Sequence, residues 1–139
     1  MRIAYVSAPY TGESPEETEA NVSRALGLAA DLWERGFAVL SPIQNSHSVS
    51  LLKPEIPREN YLLADLRFLA FCDVLFVYIH AGESPGCRLE VAEAARLEIP
   101  VIPVDHIDGR TILCLGLPDG ERKDRYKEQA AWISEVSRL

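Results

Sequence analysis

The chain has 139 residues, a length that suits one domain with its own hydrophobic core. Hydrophobic residues make up 47% and charged residues 25%, ordinary values for a globular protein that exclude a largely disordered chain. The 21 acidic and 14 basic residues give a formal net charge of -7, which disfavours a broad surface for nucleic acid or an anionic membrane. We therefore expect a single domain over residues 1–139 that binds a small molecule, and neither a nucleic acid polymer nor a membrane.

The three cysteines, Cys72, Cys87 and Cys114, are far apart and lack the spacing of zinc ligands. Their odd number predicts reduced, structural thiols. The first segment, MRIAYVSAPY, carries one basic residue and runs directly into a strand pattern, which does not fit a signal peptide. These features predict a cytoplasmic protein without a metal site or cofactor.

The first two predicted elements are a buried strand and a long helix. RIAYVSA is a short apolar run that stops at Pro9 and Gly12, as is typical of a buried strand. Residues 14–35 begin with a serine at a capping position followed by proline, and Gly36 follows their end, which predicts a helix. Its residues at helical spacing are expected to cover a sheet: Val22, Leu26, Ala29, Ala30 and Trp33.

The middle of the chain predicts two more strands and two more helices. FAVLSP is a strand that ends at Pro42, and IQNSHSVS is predicted to be a polar loop. RENYLLADLRFLAFC predicts a helix, and DVLFVYIH is apolar on both faces, as a central parallel strand should be. Residues 84–97 predict a further helix, followed by a short strand, IPVIPVD. The helix before DVLFVYIH is expected to turn four residues inward: Leu62, Leu66, Leu69 and Ala70.

Strands and helices therefore alternate along residues 1–105. Alternation with short connections predicts parallel strands joined by right-handed crossovers. The expected fold is α/β, an open parallel sheet of four to five strands with helices on both faces. Residues 106–139 are predicted to be a C-terminal extension with a short strand near residues 111–115 and one terminal helix. That helix is expected to pack Ala130, Ile133 and Val136 inward.

In such a sheet the ligand crevice lies outside the carboxyl ends of the strands, where the strand order reverses. Three loops should border it: SAPYTG, SPIQNSH and HAGESPG. SAPYTG lacks both the GxGxxG pattern and the lysine of a phosphate loop, which disfavours dinucleotide or triphosphate binding. His47 and His80 are loop candidates for contacts with a base or a phosphate.

The helix after HAGESPG contains the main candidates. Ser84 suits an N-cap and Pro85 the first helical position, so the free backbone donors there favour an anion, although ordinary capping also explains Ser84. The side chain of Glu90 leans toward Gly86, which leaves its carboxylate uncovered on the crevice side. Glu90 is thus either a residue that faces the substrate or a solvated helical glutamate, which its residue type alone favours.

Three further residues have structural and functional interpretations. Asp65, flanked by inward leucines, is either a proton donor or ribose ligand, or an exposed carboxylate. Asp73 is expected to bond loop backbone where the helix turns into the next strand. Tyr5 lies within the first strand, and its hydroxyl needs a partner if it is buried.

Five segments, in this order, resemble the nucleoside 2-deoxyribosyltransferase superfamily: IAYVSAPYTG, NVSRA, GFAVLSPIQNSHSV, ADLRFLAFCDVLFVYI and SPGCRLEVAEA. The resemblance covers residues 2–104 and is greatest to small bacterial and phage branches. It implies a flavodoxin-like or Rossmann-like sheet on which Glu90 attacks C1′ of a deoxyribosyl group. Tyr5 matches the tyrosine that orients this nucleophile, and Asp65 matches the aspartate associated with sugar binding and proton delivery to the base.

The resemblance also implies a substrate class. Ser84 stands where the transferases tend to carry an aspartate that contacts the 5′-hydroxyl. In the related deoxynucleoside 5′-monophosphate N-glycosidases a serine at this position binds the 5′-phosphate. The expected substrate-binding residues are Ser84, Gly86, Ser7, Pro9, Tyr10 and His47.

Together these features predict cleavage of the N-glycosidic bond of a 2′-deoxynucleoside or its 5′-monophosphate. The bond would break through a glycosyl-Glu90 ester, with transfer to water or to another base. The alternatives are a nucleotide-binding module without turnover and glycosidic cleavage of a larger dinucleotide, which shares the nucleophile but needs a wider crevice. Because members of the superfamily commonly assemble through the helices beside the site, we expect a homodimer or a higher homo-oligomer.

Overall fold

The strand segments form one sheet in the computed structural model, which describes residues 1–138. The strands are β1 (Ile3–Ser7), β2 (Ala38–Leu40), β3 (Val74–Tyr78), β4 (Val101–Ile107) and β5 (Arg110–Leu113). Their order is β2-β1-β3-β4-β5, with β5 antiparallel to β4 and every other pair parallel. This confirms the predicted α/β sheet and gives it the flavodoxin-like strand order, with the reversal between β1 and β3.

Helices cover both faces of the sheet, as predicted. They are α1 (Pro15–Glu34), α2 (Pro42–Leu52), α3 (Arg58–Leu69), α4 (Pro85–Arg96), α5 (Glu121–Gln129) and α6 (Ala131–Ser137). On one face, Leu28 and Leu32 of α1 pack against Val74 and Phe76 of β3. On the other face, Val91 of α4 packs with the opposite side of the strands and with α6.

Helix α1 buries a different face from the predicted one. Among the five residues expected to cover the sheet only Ala29 is buried, while Leu26 and Trp33 are 55% and 56% exposed. The residues of α1 that are buried are Asn21, Ala25, Leu28, Ala29 and Leu32. Two apolar stripes at helical spacing run along this helix, and spacing alone does not distinguish them. The stripe that contains Leu28 and Leu32 lies against the sheet.

The segment IQNSHSVS is helical, so its prediction as a loop was wrong. It belongs to α2, which begins at Pro42 directly after the extended Ser41. Its short polar side chains bond their own helix: Ser46 Oγ donates to the Pro42 carbonyl at 2.9 Å, and Ser50 Oγ to the His47 carbonyl at 2.6 Å. The polar composition that indicated a loop is therefore compatible with a half-exposed helix.

Two further predictions need correction. In α3, Leu69 is buried and Leu62 and Leu66 are half-buried, but Ala70 is exposed. The C-terminal segment forms two helices instead of one: α5 ends at Gln129 and α6 begins at Ala131, with Ala130 between them as the cap of both. In α6, Val136 is buried. The predicted short strand is present as β5, and the three cysteines are free and buried.

Candidate active site

A cavity of about 880 Å³ opens where the order of the sheet reverses, beyond the carboxyl ends of β1 and β3. Its volume falls within the range of about 300–1,000 Å³ that is usual for small-molecule sites. The loops after β1 and β3, helices α2 and α3 and the start of α4 contribute to its walls. Six of the predicted site residues line it: Pro9, Tyr10, Asp65, Ser84, Gly86 and Glu90.

Glu90 is buried, with 8% of the residue exposed, so the solvated alternative is wrong. The start of α4 sets its position: Ser84 Oγ accepts a hydrogen bond from the Cys87 amide at 3.3 Å, and Pro85 is the first helical residue. Gly86 keeps the approach to Glu90 open, because a Cβ built there would meet only Ser84 Oγ, at 4.0 Å. Helix α4 thus places the Glu90 carboxylate at the cavity, next to the space that Gly86 leaves open in the first turn.

Strand β1 supplies the two hydrogen bonds of that carboxylate. The Tyr5 hydroxyl donates to Oε2 of Glu90, and Ser7 Oγ donates to Oε1 at 3.0 Å. Tyr5 and Ser7 share one face of β1, because side chains alternate along a strand. Both are fully buried and lie outside the cavity lining, so Ser7 contacts Glu90 instead of the cavity. These bonds fix the orientation of the Glu90 carboxylate.

Burial shifts the titration of two of the carboxyl groups that line the cavity. It raises the pKa of Glu90 to about 7, against the opposing effect of the bonds from Tyr5 and Ser7, and the charge of Asp65 raises it further. Burial also raises the pKa of Asp65 to about 6. The pKa of Tyr5 lies above its ordinary value because the ring is buried and faces Glu90. The Tyr5 hydroxyl therefore remains a hydrogen-bond donor, while the carboxyl groups of Glu90 and Asp65 each gain or lose a proton close to neutral pH.

The loop after β1 is held against α1 and α2. Tyr10 OH and His47 Nδ1 are 2.8 Å apart, and their rings meet edge to face with centroids 5.5 Å apart. Asn21 Nδ2 donates to the Tyr10 carbonyl at 3.0 Å. Tyr10 lines the cavity, whereas His47 does not. The other ring nitrogen of His47, Nε2, is 3.5 Å from Oε1 of Glu19. Tyr10 is thus the member of this pair that a ligand would meet.

The cavity is also lined by Arg24 and Tyr78, which the sequence analysis did not assign to the site, and by the loop candidate His80. The guanidinium carbon of Arg24 lies 4.6 Å from the centroid of the Tyr78 ring, and the Tyr78 and His80 rings are 5.2 Å apart. All three residues line the cavity. The sequence contains a signal for Arg24, since its spacing of three residues from Asn21 places both on one helix face. In the structure the two side chains are hydrogen-bonded.

Comparison with known proteins places the chain in a family. A family model matches residues 2–105, and it is described as a domain of unknown function, DUF1937. The chain belongs to the DUF1937 family. A search of curated proteins finds no match.

The fold of this DUF1937 protein is also found among solved structures. One of them is the 2-deoxyribosyltransferase of the psychrotolerant bacterium Bacillus psychrosaccharolyticus, with 23% identity and a TM-score of 0.50. The match covers 73% of this chain and 70% of the other. At this identity the likeness establishes a common architecture, in agreement with the fold expected from the sequence resemblance.

Within residues 1–138, no three His, Cys, Asp or Glu side chains are grouped so that they could hold a metal ion. No helix in the same part of the chain is long and apolar enough to cross a membrane.

The outer side of α3 and the turn after it expose Leu63 and Phe71, whose exposed fractions are 63% and 77%. The expected homo-oligomer stays a prediction.

Proposed function

We propose that this DUF1937 protein cleaves the N-glycosidic bond of a 2′-deoxynucleoside or its 5′-monophosphate, with Glu90 as the nucleophile. The observation that carries this proposal is the buried Glu90 carboxylate, which faces a ligand-sized cavity and is held from behind by Tyr5 and Ser7. The fold shared with a 2-deoxyribosyltransferase and the ordered sequence motifs support the same chemistry.

The first step forms a covalent intermediate. The glycosidic bond breaks through an oxocarbenium-like transition state, which a nearby carboxylate stabilises. The bond between C1′ and the base nitrogen breaks with its electron pair leaving on the base, and Glu90 forms an ester bond to C1′. Asp65 lines the same cavity, where its carboxyl group can supply a proton to the departing base.

The second step releases the sugar. Water, or the nitrogen of another base, attacks C1′ and displaces the Glu90 carboxylate. The attacking group loses a proton, which the carboxylate of Asp65 accepts, so both residues return to their starting states. Tyr5 and Ser7 bond the carboxylate oxygens throughout and favour the ionised form of Glu90 as attacking and leaving group.

The start of α4 lies beside this reaction centre. Ser84 and Gly86 line the cavity, and the first amides of a helix attract electronegative groups. We propose that the 5′-hydroxyl or 5′-phosphate of the substrate binds there.

Asp65→Asn should slow departure of the base more than it weakens substrate binding, since Asp65 acts on the base.

Chromatography of reaction mixtures tests the proposal. Common 2′-deoxynucleosides and their 5′-monophosphates are incubated with wild type, Glu90→Ala and Glu93→Ala, with and without an acceptor base. Glu93 lies on the same helix, outside the cavity lining, and bonds Arg96 at 3.1 Å, so it is a matched control. We expect free base from wild type and Glu93→Ala alone, and new nucleosides with the acceptor if transfer occurs.

Two results would contradict the proposal. Full activity of Glu90→Ala would show that Glu90 is not the nucleophile. Absence of base release from wild type, together with ligand-dependent thermal stabilisation, would identify a binding module without turnover.

A further inference from the structure

His80 lies between the main cavity and a buried carboxylate. It follows β3, its ring lines the cavity, and its side chain is 41% exposed. Its Nε2 is 3.6 Å from Oδ2 of Asp105, whose side chain is 7% exposed. Because Nε2 faces Asp105, Nδ1 is the ring nitrogen left to meet a ligand.

Asp105, near the end of β4, is held by two donors. The Tyr126 hydroxyl donates to Oδ2 at 2.7 Å, and the His106 amide donates to Oδ1 at 2.8 Å. A buried carboxylate needs such partners, since an unpaired charge is costly away from water. Tyr126 therefore fixes the same Asp105 oxygen that faces His80.

The C-terminal helices hold the segment around His80 at a second point. Trp132 of α6 donates from Nε1 to the Ile79 carbonyl at 2.9 Å. The same indole lies so close to Gly82 that an added Cβ there would be 3.1 Å from it. Tyr126 and Trp132 are both outside residues 2–105, the range of the family match. Residues of the C-terminal extension thus brace the loop between β3 and α4 on both sides of His80.

We propose that His80 binds a polar group of the substrate and that Tyr126, acting through Asp105, is a positioning residue for His80. This inference rests on the proposed function, since the substrate is the nucleoside or nucleotide named there. His80 faces Asp105, whereas Glu90 is bonded by Tyr5 and Ser7, so we assign His80 to substrate binding and not to the bond that Glu90 breaks. A group of this kind contributes equally to ground-state and transition-state binding, and its loss raises KM without lowering kcat.

Nuclear magnetic resonance of the imidazole nitrogens tests the contacts without any need for turnover. The His80 signals are assigned by their loss in His80→Gln. We expect them to shift in Tyr126→Phe, which removes the hydroxyl and keeps the ring, and in Asp105→Asn. Ser137→Ala is the control, because it removes a hydroxyl bond to the Ile133 carbonyl in the same C-terminal segment and should leave His80 unchanged. Deoxynucleosides or their 5′-monophosphates, added to wild type, should also shift the His80 signals.

Steady-state kinetics tests the role in binding. We expect the KM for base release to rise about tenfold in His80→Gln and several-fold in Tyr126→Phe, with kcat within about twofold of wild type. If Tyr126→Phe releases base with the KM and the His80 signals of wild type, the positioning role of Tyr126 is overturned and the proposed function stays intact. If base is released but the His80 signals do not shift when substrate binds, the binding role of His80 is overturned. If substrate shifts the His80 signals but no base is released, the contact stands and the proposed function fails.

Discussion

Tyr5 and Glu90 are 85 residues apart in sequence and are joined by a hydrogen bond inside the protein. The bond links β1 with α4 across the point where the strand order reverses. Its donor is fully buried, and its acceptor faces the cavity. The orientation of the candidate nucleophile is therefore set by the sheet, whereas its access to substrate is set by the start of its own helix.

Tyr5→Phe should slow the chemical step and leave substrate binding almost unchanged. The substitution removes the hydroxyl that bonds Glu90 and retains the ring in the core, so the carboxylate keeps only the bond from Ser7. We expect kcat to fall about tenfold to hundredfold, because a hydrogen bond to a charged group is lost. Single-turnover measurement of base release checks this.

Tyr61, which lines the cavity, offers a control for Tyr5→Phe. The Tyr61 hydroxyl has no hydrogen-bond partner among residues 1–138, so Tyr61→Phe removes a hydroxyl without removing a bond to Glu90. Equal losses of kcat in the two variants would argue against a specific role of the Tyr5 bond.

Glu90→Gln should flatten the pH dependence of stability. The pKa of Glu90 is about 7 in the folded protein and 4.5 in the reference state, so the folded state binds more protons between these values. The free energy of unfolding of wild type therefore falls as pH rises from about 4.5 to about 7, by on the order of 3 kcal/mol from this group alone. Urea denaturation at pH 5 and pH 8 should show a smaller decrease in Glu90→Gln than in wild type. An equal decrease would mean that burial of Glu90 does not shift its titration.

The sequence predicted the parts of the fold that depend on local periodicity. Alternating strand and helix patterns gave the parallel sheet, and the sheet located the crevice near Glu90, Ser84 and Asp65. These inferences succeed because apolar spacing and the position of strand ends are readable one segment at a time. The resemblance then added the chemical roles.

Features decided by contacts between distant segments were not predictable. The helicity of α2 is supported by the bond from Gln44 Nε2 to the Val22 carbonyl of α1, at 3.0 Å. The buried face of α1 depends on which of its two apolar stripes fits the sheet. Both donors to the Glu90 carboxylate lie far away in sequence: the resemblance alone pointed to Tyr5, and Ser7 was expected to bind substrate instead. Each of these depends on tertiary packing, which overrides local propensity.

Gly27→Ala should destabilise the fold. An added Cβ at Gly27 would lie 2.7 Å from Nε2 of His106, too close for any real contact, so α1 or the imidazole would have to move. Overpacking costs about 1–3 kcal/mol, of which the preference of a helix for alanine over glycine offsets about 1 kcal/mol, so we expect a net fall in the free energy of unfolding of up to about 2 kcal/mol. Gly116→Ala is the comparison, since its Cβ would meet Leu113 at an ordinary 3.6 Å. Thermal denaturation of both variants checks this, and an unchanged Tm for Gly27→Ala would show that His106 adapts freely.

Gly86→Ala should separate stability from activity. Gly86 is a helical residue of α4 whose added Cβ would meet no atom of the described residues closer than Ser84 Oγ, at 4.0 Å. Alanine is favoured over glycine in a helix by about 1 kcal/mol, so the Tm should be unchanged or higher. The same methyl group would project where the cavity gives access to Glu90, so kcat/KM should fall about tenfold or more through steric exclusion. Thermal denaturation and kinetics of one preparation measure both quantities. Wild-type kcat/KM in a folded Gly86→Ala protein would mean that substrate does not approach Glu90 past the first turn of α4.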